Sequence, residues 1–231
     1  MNPNGLILWE GLSILDGAPL AVIVTGIERP SGNRKVGPSL QVFYILQNIH
    51  PSTAVKTGAD VAICGDCKHR PTLGGECYVK VWRAPRSVWE AYRAGRYAHW
   101  DGDPAPFAGK HVRFGAYGDP ASVPDACNAR LDVIRSVAAS TLAYTHQWSL
   151  REDLRGWVMA SVDNVGEYVR ARAAGWRTFR VRQASEPVEV GERVCPAASE
   201  APTSLQCIAC RQCDGLGAAS KRPSPVIVHH R

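Results

Sequence analysis

The stretch Val112-Arg113-Phe114-Gly115-Ala116-Tyr117-Gly118-Asp119-Pro120 predicts the fold class, because it reads as a strand that ends in a turn and leads into a helix. The strand carries β-branched and aromatic residues, and the Gly-Asp-Pro sequence ends it. The same alternation of strand and helix continues along the chain. The elements predicted after this turn are a helix over Pro124–Val137, strands over Thr141–Thr145 and Trp157–Ser161, a helix over Val165–Ala174 and a last strand over Arg177–Arg182.

Alternating strands and helices of this kind imply parallel strands joined by right-handed crossovers. Counted from Leu40–Leu46 as the first strand, about five such units are present, too few for a full eight-stranded barrel. The sequence therefore predicts an α/β protein, built as a partial (β/α) barrel or an open curved parallel sheet. An N-terminal β-hairpin and a C-terminal cysteine-rich metal-binding extension are expected to flank this core.

The region before the core is rich in β-strand patterns. Leu20–Ile27 and Leu40–Leu46 are apolar and β-branched, and Arg29–Pro38 between them has the composition of a loop, so a long hairpin is expected. Arg34 and Lys35 at its tip either meet a phosphate or are simply exposed charges. We divide the chain into a β-rich segment that includes the first sheet strand (1–50), an α/β core with a cysteine loop (51–183), and the cysteine-rich extension with its tail (184–231).

The composition is that of a globular protein, with 231 residues, 45% hydrophobic and 21% charged. No run approaches the roughly 18 apolar residues of a membrane span, and the N-terminus lacks a signal-peptide pattern, so we expect a cytoplasmic protein without membrane contact. In a reducing compartment, clustered cysteines are metal ligands more often than disulfides. The formal charge of +6 permits weak, non-specific nucleic-acid binding, with contacts expected from Arg29, Arg34, Lys35, Lys221 and Arg222.

Seven of the eight cysteines fall into two groups, and the C-terminal group is complete. Cys207-Ile208-Ala209-Cys210-Arg211-Gln212-Cys213, together with Cys195 upstream, supplies four thiolates at a spacing that turns the sulfurs towards one ion or cluster. A tetrathiolate suits both zinc and a [4Fe–4S] cluster. The Cys195-Pro196 dipeptide and the C-x₂-C-x₂-C run resemble a ferredoxin ligand set, and this favours iron–sulfur.

The upstream group has three cysteines, Cys64, Cys67 and Cys77, in a segment rich in Gly and Pro. Zinc would require a fourth protein ligand, for which His69 is the nearest candidate. A cubane iron–sulfur cluster would instead leave one iron open to a substrate. The remaining alternative is that these are ordinary buried thiols or a redox pair. Cys127, alone on an amphipathic helix, is expected to be a small buried hydrophobe.

Polar residues follow several of the predicted strands and should meet at one edge of the sheet, where α/β proteins place their chemistry. His146 and Asp119 are the candidate catalytic residues, and Tyr117, Gln147 and Asp163 are candidate cofactor-binding residues. Each has a structural alternative. Asp119 before Pro120 could fix a turn, His146 could be a satisfied core histidine, and Asp163 could belong to a helix start, since Asn164 and Glu167 have capping-box spacing.

A resemblance to a known family rests on four motifs. They are Cys64-Gly65-Asp66-Cys67-Lys68-His69-Arg70 with Cys77-Tyr78-Val79, Gly115-Ala116-Tyr117-Gly118-Asp119-Pro120, Tyr144-Thr145-His146-Gln147-Trp148 and Met159-Ala160-Ser161-Val162-Asp163. Through them the chain resembles an uncharacterised bacteriophage-encoded cysteine-rich family, over about residues 20–213. That family brings no established activity, but the resemblance implies a phage or prophage gene and hence the cytoplasm of a bacterial host.

More distantly, the layout resembles the radical SAM superfamily. That resemblance implies a partial TIM barrel in which Cys64, Cys67 and Cys77 hold a [4Fe–4S] cluster whose open iron binds S-adenosylmethionine, with Tyr78 as the aromatic neighbour. It also implies an auxiliary cluster at Cys195, Cys207, Cys210 and Cys213. The spacing here is C-x₂-C-x₉-C, whereas that superfamily has C-x₃-C-x₂-C.

Two functions remain open at this stage. In the first, the chain is an iron–sulfur protein with one or two [4Fe–4S] clusters near one rim, and any enzymatic activity is radical or redox chemistry on an unknown substrate. In the second, it is a non-enzymatic zinc protein whose two cysteine sites stabilise a surface that binds nucleic acid or protein.

Overall fold

The computed structural model describes residues 4–202, 204–216 and 222–228, and its first sheet contains six strands. These are β1 (Gly5–Leu12), β2 (Pro19–Thr25), β3 (Leu40–Leu46), β4 (Ala98–His99), β5 (His111–Tyr117) and β6 (Ser140–Leu142), in the order β4-β1-β2-β3-β5-β6. Strands β1, β2 and β3 are antiparallel neighbours, and the β3–β5 and β5–β6 pairs are parallel. The predicted hairpin is confirmed, with Leu20 opposite Leu46 and Thr25 opposite Gln41.

The second sheet contains five strands, all in parallel pairs. These are β7 (Tyr144–Thr145), β8 (Met159–Val162), β9 (Thr178–Arg182), β10 (Glu192–Val194) and β11 (Ser224–Val228), in the order β10-β11-β9-β8-β7. Only Ala143 separates β6 from β7, and its carbonyl accepts a hydrogen bond from Met159 of β8. The parallel strands therefore continue from one sheet into the other, and the fold is an open α/β arrangement, as predicted.

In the described parts of the chain, six α-helices connect the strands: α1 (Pro51–Thr57), α2 (Val61–Cys64), α3 (Ala84–Arg93), α4 (Asp125–Val137), α5 (Val165–Ala173) and α6 (Cys207–Cys210). The start of α5 follows from its sequence, because the Asn164 side chain accepts a hydrogen bond from the Glu167 amide at 2.8 Å. None of the helices in the described residues is both long and apolar enough to cross a lipid bilayer.

The core lies around β2 and β3, whose apolar residues are buried on both faces. All seven residues of β3 are buried, and helix α4 packs its apolar side chains Leu131 and Ile134 into the same core. Cys127 on α4 is fully buried, so its predicted role as a small core residue is confirmed.

Two strand predictions differ from the structure. The predicted strand Thr141–Thr145 is divided at Ala143 between the two sheets. Arg177–Arg182 is not the last strand, because Ser224–Val228 returns to pair with β9 and then carries β10 on its other side. The apolar Ser-Pro-Val-Ile-Val segment near the C-terminus is long enough to form this strand. The strand was not predicted, because its partner β9 is distant in sequence.

Candidate functional site

The first set of cysteines, Cys64, Cys67 and Cys77, lies beyond the carboxyl ends of the parallel strands. Helix α2 ends at Cys64, and the Cys67 amide donates to its carbonyl at 3.2 Å, which closes the turn. Burial raises the pKa of the Cys64 thiol, and nearby Cys67, Asp60 and Cys77 raise it further. The Cys64 thiol is thus near enough to Cys67 and Cys77 to interact with them electrostatically.

A buried arginine holds this loop in place. The Arg70 guanidinium is only 8% exposed and donates to the carbonyls of Gly65 and Gly58 at 2.9 and 2.7 Å. It also donates to Asp60 at 2.8 Å, and that carboxylate is almost fully buried. Sequence reasoning missed this role, because nothing in the spacing of Asp60 and Arg70 marks them as partners.

Gln147 supports the same loop from the strand side. Its side chain is buried and donates to the Cys64 carbonyl at 3.2 Å. A Cβ atom on Gly65 would lie 2.5 Å from the Gln147 amide carbon, and Gly65 has a φ of +58°, so this position requires glycine. Gln147 was predicted to bind a cofactor, but these contacts make it a residue that positions the cysteine loop.

The Asp119 side chain also holds backbone amides in position. One of its oxygens accepts from the Ala121 amide at 2.8 Å and the other from the His146 amide at 2.9 Å. The side chain is buried, and burial raises its pKa although these amides oppose the shift. Both oxygens are engaged, so the structure supports the alternative in which Asp119 fixes the loop rather than the catalytic role predicted for it.

His146 meets Asp163 and His69 in one group, as the sheet-edge argument predicts for the first two. Asp163 Oδ1 lies 2.8 Å from His69 Nε2, and its Oδ2 lies 3.8 Å from His146 Nε2. The two imidazole rings are in edge contact, with centroids 5.5 Å apart. Burial opposes protonation of His146, but Asp163 and Cys67 outweigh it and raise its pKa. His69 Nε2 therefore contacts Asp163, and the described residues contain no group of three ligand atoms within 4.8 Å that combines His69 with the cysteines.

Tyr117 lies beside the first set at the end of β5. Its side chain is 3% exposed, and its hydroxyl has no hydrogen-bond partner among the described residues. Burial raises its pKa, with further contributions from Cys64, Asp60 and Cys77. The predicted position of Tyr117 next to this set is therefore correct.

Cys195 directly follows β10, but the other three cysteines of the second set, Cys207, Cys210 and Cys213, lie at the opposite ends of the strands. The amides of Cys207 and Ile208 donate to the carbonyls of Lys35 and Val36, in the loop that leads into β3. Arg177, just before β9, donates to the Gln212 carbonyl at 2.9 Å. Gly215 packs against the backbone of Trp157, shortly before β8. All these partners precede a parallel strand.

The prediction that both sets share one rim is therefore wrong. The first set lies next to Asp119, His146 and Asp163, which follow strands, whereas the second contacts residues that precede strands. The prediction assumed that the second set left directly from the end of β9. In fact β10 and residues 195–206 lie between β9 and Cys207, and this length of chain takes Cys207, Cys210 and Cys213 to the other edge of the sheet.

The other three thiols of the second set contribute to the electrostatic environment of Cys213. Burial raises the pKa of Cys213, Tyr144 partly opposes this shift, and Cys195, Cys207 and Cys210 add to it. The spacing of both sets is wide, since among the described residues no three cysteine sulfurs lie within 4.8 Å of one another. The group that meets this limit is His69, His146 and Asp163.

Arg113 lies between the two sets. Its side chain is buried, and its Nη2 donates to the Tyr78 hydroxyl at 2.7 Å. Among the described residues no carboxylate pairs with it, and its Nε has no hydrogen-bond partner. Burial disfavours the cation, but nearby Tyr78, Tyr144 and Cys207 raise its pKa overall. The sequence does show Arg113 as a charged residue within an otherwise apolar strand, but the sequence analysis assigned it no role.

The basic residues expected to contact nucleic acid are not all available as free charges. Arg222 pairs with Asp214 at 2.7 Å, and the backbone of Lys35 supports α6. Lys221 lies outside the described residues.

Comparisons with known proteins found no relative of this chain. The chain matches no family model, no curated protein and no solved structure.

Proposed function

We propose that this chain is an iron–sulfur protein with two [4Fe–4S] clusters, one at Cys64, Cys67 and Cys77 and one at Cys195, Cys207, Cys210 and Cys213. The grouping of seven of the eight cysteines into two sets carries the proposal. In a tetrahedral zinc site with bonds of about 2.3 Å, the sulfurs lie about 3.8 Å apart, whereas around a cubane they lie roughly 6–7 Å apart. The absence of any three described cysteine sulfurs within 4.8 Å fits the wider arrangement.

The charge of Arg113 supports the second cluster. A buried guanidinium with no carboxylate partner is unfavourable unless another anion balances it. A [4Fe–4S]²⁺ core with four thiolates carries a net charge of about −2. Cys207 and Cys213, which lie close to Arg113 and Tyr144 respectively, would supply this negative charge next to the buried cation.

The first cluster would differ in having three protein thiolates. Among the described residues no group of three ligand atoms within 4.8 Å combines His69 with these cysteines, so in this proposal one iron would remain available to a substrate or to S-adenosylmethionine. A bound cubane supplies one-electron redox chemistry. The residues of the chain hold the loop through Arg70 and Gln147 and place His146 beside it. Radical or redox catalysis is the activity that this arrangement supports best.

We further interpret the continuous parallel strands as a partial (β/α) barrel. The run β3-β5-β6 and β7-β8-β9-β11-β10 changes sheets only at Ala143. The first set then lies at the carboxyl ends, where barrel enzymes place their active sites. In this interpretation the segment around the second set is the metal-binding extension.

The test is metal and sulfide analysis of the full chain purified without oxygen. We expect a brown protein with about eight irons and eight sulfides per chain. Replacing Cys64, Cys67 and Cys77 together with serine should remove about half of the iron. Cys127→Ala is the matched control, because this cysteine belongs to neither set and its loss should leave the iron content unchanged. A colourless protein with about two zinc ions would overturn the proposal and favour the zinc alternative.

A further inference from the structure

A group of three metal-binding side chains lies outside the two cysteine sets. One nitrogen each of His69 and His146 and one carboxylate oxygen of Asp163 all lie within 4.8 Å of one another. The three side chains come from three separate segments: the first cysteine loop, the turn after β7 and the turn after β8. Two imidazoles and one carboxylate form a ligand set known for divalent first-row transition metals with open coordination positions.

The geometry of this group leaves one buried nitrogen without a hydrogen-bond partner among the described residues. Asp163 directs Oδ1 to His69 at 2.8 Å and Oδ2 towards His146 at 3.8 Å. The second distance is too long for a hydrogen bond. The Nε2 atom of His146 is buried, and among the described residues it has no hydrogen-bond partner. A buried nitrogen that faces a carboxylate without bonding to it is satisfied if a cation lies between them.

The surrounding residues hold all three ligands in position. Asp119 accepts a hydrogen bond from the His146 backbone amide, and Glu167 accepts one from the Asp163 amide at 2.9 Å. Glu167 also forms an ion pair with Lys68, the neighbour of His69. Outer contacts of this kind are typical of metal sites, where they orient the ligands.

We propose that His69, His146 and Asp163 bind one divalent transition-metal ion, separate from any iron–sulfur cluster. Asp163 supplies one negative charge to balance the cation. Three protein ligands leave positions open for water or a substrate. The inference does not depend on the proposed function, because no cysteine belongs to this ligand group.

The experiment uses Mn²⁺ as the probe, since Mn²⁺ favours oxygen and nitrogen ligands over thiolates. The full chain, purified without oxygen, is titrated with Mn²⁺, and free Mn²⁺ is measured by electron paramagnetic resonance. We expect one ion bound per chain. His69→Ala and Asp163→Asn should each weaken binding at least about 10-fold, and Glu167→Gln should weaken it by a similar factor through its contact with the Asp163 backbone.

His99→Ala provides the matched control. His99 is an exposed histidine on the first sheet, and its Nε2 lies 3.5 Å from the carboxylate of Glu10. Replacing it should leave Mn²⁺ affinity unchanged. Circular dichroism identifies any variant that fails to fold. In that case the test is the Tm of the unmodified chain, which should rise when Mn²⁺ is added. Equal Mn²⁺ affinity in the parent, His69→Ala and Asp163→Asn proteins would overturn the site, as would no binding at millimolar Mn²⁺. Iron and sulfide content is measured separately, so failure of the cluster proposal is distinguishable.

Discussion

Arg113 Nη2 donates a 2.7 Å hydrogen bond to the hydroxyl of Tyr78, the residue that follows Cys77. The same guanidinium lies close enough to Cys207 for the thiol to favour its positive charge. Arg113 is the third residue of β5, so it lies between the strand ends that carry the first set and those that carry the second. One buried cation therefore connects the two cysteine sets across the sheet.

Removing this charge should affect the second cluster. In Arg113→Met we expect the reduction potential to become more negative by on the order of 50 mV, because one positive charge near the cluster is lost. Arg113→Lys keeps the charge and should shift the potential less. Redox titration followed by electron paramagnetic resonance measures both. Equal shifts in the two variants would show that charge is not the property that matters.

Arg70 should be important for stability. Arg70→Met would leave the Asp60 carboxylate buried without its partner and two loop carbonyls without their donor, so we expect a loss of about 3–5 kcal/mol in the free energy of unfolding. Arg86→Met is the control, since Arg86 pairs with Glu90 on an exposed helix face and should cost at most about 1 kcal/mol. Denaturant unfolding measures both values. Similar losses would contradict the role of Arg70.

Gly65 should tolerate no side chain. In Gly65→Ala the added methyl would meet Gln147 and strain a backbone with positive φ, at a cost of roughly 1–3 kcal/mol, and the first cluster should lose iron. Gly17 also has a positive φ, but a Cβ there would face open space. Gly17→Ala should therefore leave the iron content unchanged. Iron analysis of the two variants decides whether the Gln147 contact matters.

The two sets should differ in their effect on folding. In the described part of segment 195–216, only the four-residue helix α6 is regular structure. We therefore expect Cys210→Ala to lower stability more than Cys64→Ala, whose loop is held by Arg70 and Gln147. A difference of about 2 kcal/mol corresponds to roughly 4–8 °C in Tm for a chain of this size. Because β11 pairs with β9 independently of the cysteines, Cys210→Ala should still fold. Equal Tm values would contradict this expectation.

Binding to nucleic acid should be weak and non-specific. The formal charge of +6 overstates the attraction, since the first cluster, with three thiolates, would contribute about −1 and the second, with four, about −2. We expect affinity for duplex DNA to fall steeply as salt rises from about 50 to 200 mM. Fluorescence anisotropy at several salt concentrations measures this. A sequence-specific complex that survives the higher salt would favour the zinc-and-binding alternative.

The local elements could be predicted from the sequence because their causes are local. The apolar runs of β2 and β3 and the turn residues between them specify the hairpin. Asn164 and Glu167 specify the start of α5, and Cys127 falls on the apolar side of α4. The grouping of seven cysteines into two sets is likewise a matter of spacing along the chain. The rule that residues after parallel strands meet at one edge of the sheet also correctly predicted that Tyr117, His146 and Asp163 lie near the first set.

Only the tertiary structure decided which groups meet across long separations. His69 and Asp163 are 94 residues apart in sequence, and no spacing rule pairs them. The partners of Arg113 depend on where the chain returns, and Cys207, Cys210 and Cys213 lie at the amino ends of the strands because the segment after β10 is long enough to reverse direction. A backbone pattern specifies each strand or helix by itself, but the juxtaposition of buried charges follows from packing of the whole chain, and these charges define the candidate sites.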